Sequence, residues 1–294
     1  MRPMKDTRLK IRLIFLPLVG IAFGVLFLYS LVHLMFLFSL KLREDVLGLY
    51  VPLLLAALLV FFLLRPTVKR LYGKQKKWRE AYYVVFTLTI AIPTIIAQSY
   101  LSKATGQLTA LEDITQLTQQ KESKYYTLNR YHIDTTQLAR YEEQQVYGKT
   151  SNELSLKVYI LFPMTKRYGD AGTVDHPYWM GRVYKKSYNG PTNAKERHFF
   201  FNQMRKEIQA EVNWTDFRQF TFLERMDTSR DKEGFVQALR SIGQKNPTQT
   251  LVLKAHTEPF NGRMENEFPW VFGALGIGLA LSFVLLLYSK IEQV

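Results

Sequence analysis

The sequence predicts a membrane protein: a four-span α-helical transmembrane bundle with an α+β extracytoplasmic domain inserted between spans three and four. Three observations carry this. Four apolar stretches, Leu13–Leu40, Val46–Leu64, Ala81–Leu101 and Phe268–Tyr288, contain no Asp, Glu, Lys or Arg. A polar block of 166 residues separates the third from the fourth. The basic residues gather beside particular spans. The expected organisation is therefore 1–101 for a cytoplasmic tail and three helices, 102–267 for the folded domain, and 268–294 for the last helix and a short tail.

Crossing the ~30 Å hydrocarbon core takes roughly 20 apolar residues as a helix. The second, third and fourth stretches match that length. The first has 28 residues and must tilt or project. It is too long and too interrupted by Pro17, Gly20 and Gly24 for a signal peptide, and no small-residue cleavage site ends it.

The formal net charge of +14 is unevenly placed. Residues 1–12 contribute +4 and residues 65–80 contribute +6, so ten of the fourteen charges flank spans one and two on one side. The loop 41–45 and the tail after Tyr288 are neutral. Short cytoplasmic loops are enriched in Lys and Arg, which places both termini and the 65–80 loop inside and residues 102–267 outside. Such basic runs suit anionic lipid head groups. The bilayer is the expected partner, and nucleic acid is not, because the excess charge lies next to spans. There is no cysteine, so the domain relies on its own core rather than disulfides. A domain of about 150 residues buries near 70% of its chain's surface.

Helices in lipid associate through close packing and a few hydrogen bonds. Gly20-x-x-x-Gly24 in the first span is one small-residue seam. Ala274-x-x-x-Gly278 and Gly276-x-x-x-Ala280 in the fourth are others. Thr87, Ala91, Thr94 and Gln98 share one face of the third and offer bonds to a neighbour. These read as packing positions rather than a substrate path. His33 is the one candidate for an ionisable relay group at mid-membrane depth, and about 30 Å of helix from Leu13 puts it near the outer interface instead.

In the domain, Leu108, Leu111, Ile114 and Leu117 recur every three residues and predict a helix. Lys124–Asp134 suits a strand. Leu154, Leu156, Val158, Ile160 and Phe162 alternate, the clearest strand signal. A loop with Gly169, Gly172 and Asp175 leads to a strand over Tyr178–Tyr188. Pro191–Asn193 opens a helix over Ala194–Val212. Asp216–Arg225 and Thr250–His256 predict strands around a short helix at Asp231–Ile242. The order α-β-β-β-α-β-α-β implies one mixed or antiparallel sheet with helices on one face.

No catalytic set is legible. There is no Gly-x-Ser-x-Gly elbow and no Gly-rich phosphate loop. His132 with Asp134, and His256 with Glu258, share strand faces and are possible ligand pairs, but no metal or cofactor is expected. His176, Tyr178 and Trp179 form the candidate partner surface. Exposed, these aromatics would anchor a partner; tucked inward, they would belong to the core. Both readings stand at this point.

The runs Ile92–Tyr100 with Ala104–Thr109, His176–Gly181, and Pro269–Gly278 resemble a membrane module that precedes the protease core in some bacterial rhomboid-family intramembrane serine proteases. The resemblance implies a bacterial inner-membrane location and a protease core or another membrane protein as partner. It carries no catalytic residue, because the family's Gly-x-Ser-Gly motif is missing from this chain. The expected role is a non-catalytic docking, sensing or substrate-presenting domain. The alternatives are the leading part of a rhomboid-type protease and a small-ligand sensor.

Overall fold

The computed structural model describes residues 7–37, 43–72, 76–147, 153–168, 176–190, 193–226, 229, 231–264 and 266–291. The rest of the amino-terminal tail, the loop residues Gly169–Asp175, Pro191–Thr192 and the last three residues, all used in the sequence reading, lie outside these. The chain divides into two compact units, one of residues 1–105 with 263–294 and the other of residues 106–262.

Four helices in the first unit are long and apolar enough to cross a membrane: α1 (Thr7–Met35), α2 (Val46–Val68), α3 (Lys76–Ala104) and α6 (Glu267–Tyr288). Their buried positions recur every three or four residues, the spacing that puts side chains on one helix face. Examples are Ile14, Leu18, Ala22 and Val25 on α1, and Ala56, Val60, Leu64 and Val68 on α2. The centre is α3, which packs against the other three through Tyr82, Phe86, Ile90 and Ala91. Its partner α6 runs antiparallel to it. The Tyr82 hydroxyl donates to the Leu285 carbonyl at 3.2 Å near one end. Lys103 Nζ meets Glu267 Oε1 at 2.6 Å at the other.

Short α2-flanking features gather at the first of these ends. Strand β1 (Leu71–Tyr72) pairs antiparallel with β10 (Lys290–Ile291), tying the basic loop to the carboxyl tail. Lys10, only 3% exposed, donates to the carbonyls of Leu286 (3.1 Å) and Ser289 (2.8 Å). A helix ends with carbonyls that have no partner in the helix, and a lysine there satisfies them. Counted in the sequence only as tail charge, Lys10 is a buried cap on α6.

The second unit is built on an eight-stranded mixed sheet. Its strands are β2 (Leu108–Asp113), β3 (Tyr125–Arg130), β4 (His132–Ile133), β5 (Ala139–Tyr147), β6 (Glu153–Thr165), β7 (Tyr178–Asn189), β8 (Phe222–Arg225) and β9 (Leu251–His256). The order is β2-β3-β8-β9-β7-β6-β4, with β5 also on β6. β2 with β3 and β7 with β9 are parallel, and the remaining pairs are antiparallel.

Two expectations are corrected here. The three-residue spacing from Leu108 to Leu117 is not one helix. Leu108 and Leu111 lie on β2, where an odd separation sends them to opposite faces, exposed and buried respectively. Asp113 then accepts the Thr115 N–H and starts a 3₁₀ turn, Ile114–Thr118. With three residues per turn, Ile114 and Leu117 fall on one side and are both buried.

The helices are also not on one face. α4 (Ala194–Trp214) sets Phe201, Met204 and Ile208 against the even positions of β6, Leu154 to Met164. α5 (Lys232–Ser241) sets Phe235, Ala238 and Leu239 against the odd positions Tyr159 and Leu161, with Trp179 and Val252. β6 and β7 are thus covered on both sides. Two glycines permit the α5 contact. A Cβ at Gly181 would stand 2.6 Å from the Phe235 ring, and one at Gly234 would meet the Tyr159 ring closer still.

Strand β5 was not foreseen. Its sequence, Ala-Arg-Tyr-Glu-Glu-Gln-Gln-Val-Tyr, is mostly polar because it pairs only with β6 and borders solvent. Glu142 on it binds Arg140 and Arg205, both at 2.8 Å. Helix α4 begins with a capping box: Asn193 Oδ1 accepts from the Lys195 and Glu196 amides, and Glu196 accepts from the Asn193 amide.

Candidate functional site

The sheet's register opens a cleft. β7 pairs with β9 only from Tyr178 to Gly181, against Leu251 to Lys254. Beyond Gly181, β7 continues to Asn189 held by β6 alone, so its other edge is uncovered past the pairing. A cavity of about 440 Å³ lies there, bordered by Arg182, Tyr184 and Lys185 of β7, Lys254 and His256 of β9, Glu258 after it and Glu211 of α4.

His256 sits at the wall with both ring nitrogens engaged. Nδ1 lies 2.7 Å from Glu258 Oε1 and Nε2 lies 2.9 Å from Glu224 Oε2. The ring stacks on Phe222 with centroids 4.7 Å apart. Carboxylates only accept, so both contacts are hydrogen bonds only when the ring is an imidazolium. Burial works to raise the Glu224 carboxyl. The His256 hydrogen bond and the Lys124, His256 and Lys254 charges outweigh it and hold that carboxyl below its ordinary range. Burial opposes ionisation of Glu258 too, and its backbone and His256 bonds prevail in the same direction.

With both ring nitrogens held by carboxylates, the imidazole has neither nitrogen free to act as a general base. Glu211 is matched by Lys186 at 3.1 Å. Arg182 donates from Nη2 to the Gln219 carbonyl and lies over the Phe217 ring. Arg182 and Lys185 border the cavity from opposite faces of β7, at its open edge, and a carboxylate or phosphate is the group such cations take.

Only part of this was visible in the sequence. His256 and Glu258 do meet, although Glu258 lies past the end of β9 and shares no strand face with it, and their third member, Glu224, comes from β8 through the register Glu224↔Lys254. Among the described residues no group of three or more His, Cys, Asp and Glu is placed to hold a metal ion. His132 instead meets the Tyr168 ring, and Asp134 accepts from Thr136.

The candidate partner surface is inside the domain. Trp179 is 0% exposed and belongs to the α5 side, with its Nε1 donating to the His176 carbonyl at 3.0 Å. Tyr178 belongs to the α4 side and its hydroxyl meets Thr118 Oγ1 at 3.2 Å. His176 is buried, and its carbonyl also accepts from Gln244. Adjacent strand residues point to opposite faces, so burial of both faces draws both aromatics inward. The most exposed aromatics of this unit are Trp214 (90%) and Tyr168 (88%).

Among the helix-packing positions, Gly278 stands apart. A Cβ there would lie 3.0 Å from Thr89 Cα, whereas at Gly20, Gly24 or Gly276 it would meet nothing within 4 Å. The seam is thus α3 on α6, and the two first-span glycines do not form one. Thr94 is buried but donates to Ile90 of its own helix. Gln98 reaches Ser30 of α1 at 3.5 Å. Thr87 lines a groove between α2 and α3. Thr89, overlooked in the sequence, makes the bond to Ser282.

No protein-family model matches the chain, no curated protein matches it, and no solved structure matches it.

Proposed function

We propose that this chain is a four-span protein of the bacterial inner membrane that presents residues 106–262 outside the cytoplasm as a non-catalytic docking or sensing module. The observation that carries this is a clasp at the point where the chain leaves α3 and returns toward α6. Lys103 Nζ binds Glu267 Oε1 at 2.6 Å, and Arg263 Nε donates to the Lys103 carbonyl at 3.3 Å. The Lys103 end is opposite the one that gathers Lys10, β1 and β10. The positive-inside tendency puts that basic end in the cytoplasm. Both tethers of the domain are joined at the clasp, so a shift in either one loads α3 and α6 together.

A phosphatase reporter inserted after Asn189 tests the orientation. Activity is expected, and an inactive reporter in a stably expressed fusion overturns the outside assignment.

The cleft beside His256 favours a sensing role, with an anionic small molecule as ligand. Full-length protein is expected to gain thermal stability with a carboxylate or phosphate bound, since a ligand that binds only the folded state raises its stability. Lys185→Glu should abolish the gain. The segments that resemble the rhomboid-associated module make a membrane protease core one protein partner to try by co-purification.

A further inference from the structure

Between α2 and α3 runs an apolar groove of about 500 Å³, open along its length. Ala57 and Phe61 on α2 face Val84, Thr87 and Leu88 on α3. It lies where α2 passes from α-helix to a π-helical turn, Val60–Leu64. One charged residue borders it, Arg65, at the basic end of α2. The guanidinium lies 4.3 Å from the centre of the Phe61 ring, which holds it at the groove's mouth. Among the described residues no carboxylate pairs with Arg65.

We infer that this groove binds one anionic phospholipid, its acyl chain along the α2–α3 wall and its phosphate on Arg65. The inference rests on the membrane reading above. The dimensions suit it: Leu53 to Arg65 spans about 18 Å at 1.5 Å per residue. One leaflet of a ~30 Å hydrocarbon core is ~15 Å deep. The chemistry suits it too. Arginine meets phosphate through two parallel N–H donors, and a cation at the head-group level without a protein counter-charge recruits an anion. A second groove supplies the contrast. The one between α1 and α2, about 380 Å³, includes Leu28, Tyr29 and Leu55 and no charged residue. The Tyr29 hydroxyl there is already given to the Leu47 carbonyl at 2.7 Å. It offers hydrocarbon contact without head-group choice.

The test uses the full chain reconstituted in mixed vesicles of phosphatidylglycerol and phosphatidylcholine. It is then extracted in mild detergent, and retained lipid is counted by native mass spectrometry. Wild type is expected to keep one phosphatidylglycerol at several-fold preference. Arg65→Gln should erase the preference, and Ala57→Phe, at an exposed wall position, should expel the lipid while leaving the helices folded. Equal retention of the two lipids by wild type overturns the site. So does an equal loss in Arg12→Gln, which marks diffuse attraction to the basic end. A changed oligomeric state in Ala57→Phe with retained lipid unchanged assigns the groove to a partner helix and overturns it as well. Alkaline extraction separates the two levels: a chain washed off the vesicles defeats the membrane reading, whereas one that stays without head-group preference defeats only the lipid site.

Discussion

Thr89 Oγ1 on α3 lies 3.0 Å from Ser282 Oγ on α6, and the same oxygen lies 3.1 Å from the Gly278 carbonyl oxygen. Three groups from two distant segments meet where Gly278 brings the backbones together. The hydroxyl also reaches the Val85 carbonyl on its own helix, a bond that spares it any orphan state in an apolar setting.

Gly278→Leu is expected to separate α3 from α6, because its Cβ already meets Thr89 Cα at 3.0 Å and backbone does not yield as a flexible side chain does. Overpacking of this kind costs about 1–3 kcal/mol. Gly20→Leu serves as the control and should leave the thermal midpoint in detergent near wild type. Equal losses for the two would remove the seam.

Lys10→Met keeps the apolar stem and deletes the donor to Leu286 and Ser289. Hydrogen bonds to charged groups are worth about 1.5–3 kcal/mol. The expected result is faster amide exchange at the end of α6 and across β1–β10, with Leu47 and its neighbours unchanged. Uniform exchange in mutant and wild type would show that the cap contributes nothing.

Phe235→Ala should destabilise the sheet unit by about 3–5 kcal/mol, as for other buried aromatic truncations. The ring fills the space against Gly181 and Tyr159, so the void cannot close from the glycine side. The check is a denaturant titration of the full chain followed by tryptophan fluorescence, with Trp179 as the nearby reporter. A midpoint within error of wild type would contradict the two-sided sheet.

Asp113 joins β2 to the 3₁₀ turn and binds Lys166 at 2.8 Å. The Lys166 hydrogen bond first, then that from Thr115, hold its carboxyl down to about 2, below its ordinary 3.8. A depressed folded value contributes stability above the unfolded value, and that contribution is lost as pH falls through the folded one. Wild type should therefore lose stability between about pH 4 and pH 2. Asp113→Asn should begin less stable near neutrality and lack this component of the acid slope. Parallel curves for both proteins would mean the carboxylate is not linked to folding.

The legible parts of this molecule share a property: their signals are local. The uncharged runs predict α1, α2, α3 and α6 because each apolar residue adds to the helix's transfer free energy without reference to its neighbours in space. The alternation from Leu154 to Phe162 predicts β6 for a similar reason. Pro191–Asn193 announce α4 because a helix-starting signal lies directly beside the helix it opens. Polar β5 escaped notice because an edge strand has no apolar alternation to show. The spacing at Leu108–Leu117 misled because period three suits both a helix stripe and a strand running into a 3₁₀ turn.

The site was the less legible part. His256 and Glu258 are two residues apart and could be paired on sight, while Glu224 reaches them only because β8 and β9 align Glu224 with Lys254. Likewise the sequence left Trp179 open between surface anchor and core, and only α5 on the second face of β7 decides for the core.

By itself the sequence determined the four apolar helices, the polar block between the third and fourth, and the uneven charge around them. These follow from runs of residue type. Tertiary structure alone decided that the sheet is covered on both faces, that Gly278 rather than Gly20 or Gly24 makes the close approach, and that Lys10 caps a helix 276 residues away. Each is a meeting of surfaces from remote segments. No window of sequence contains both partners, so only the folded chain reveals which face meets which.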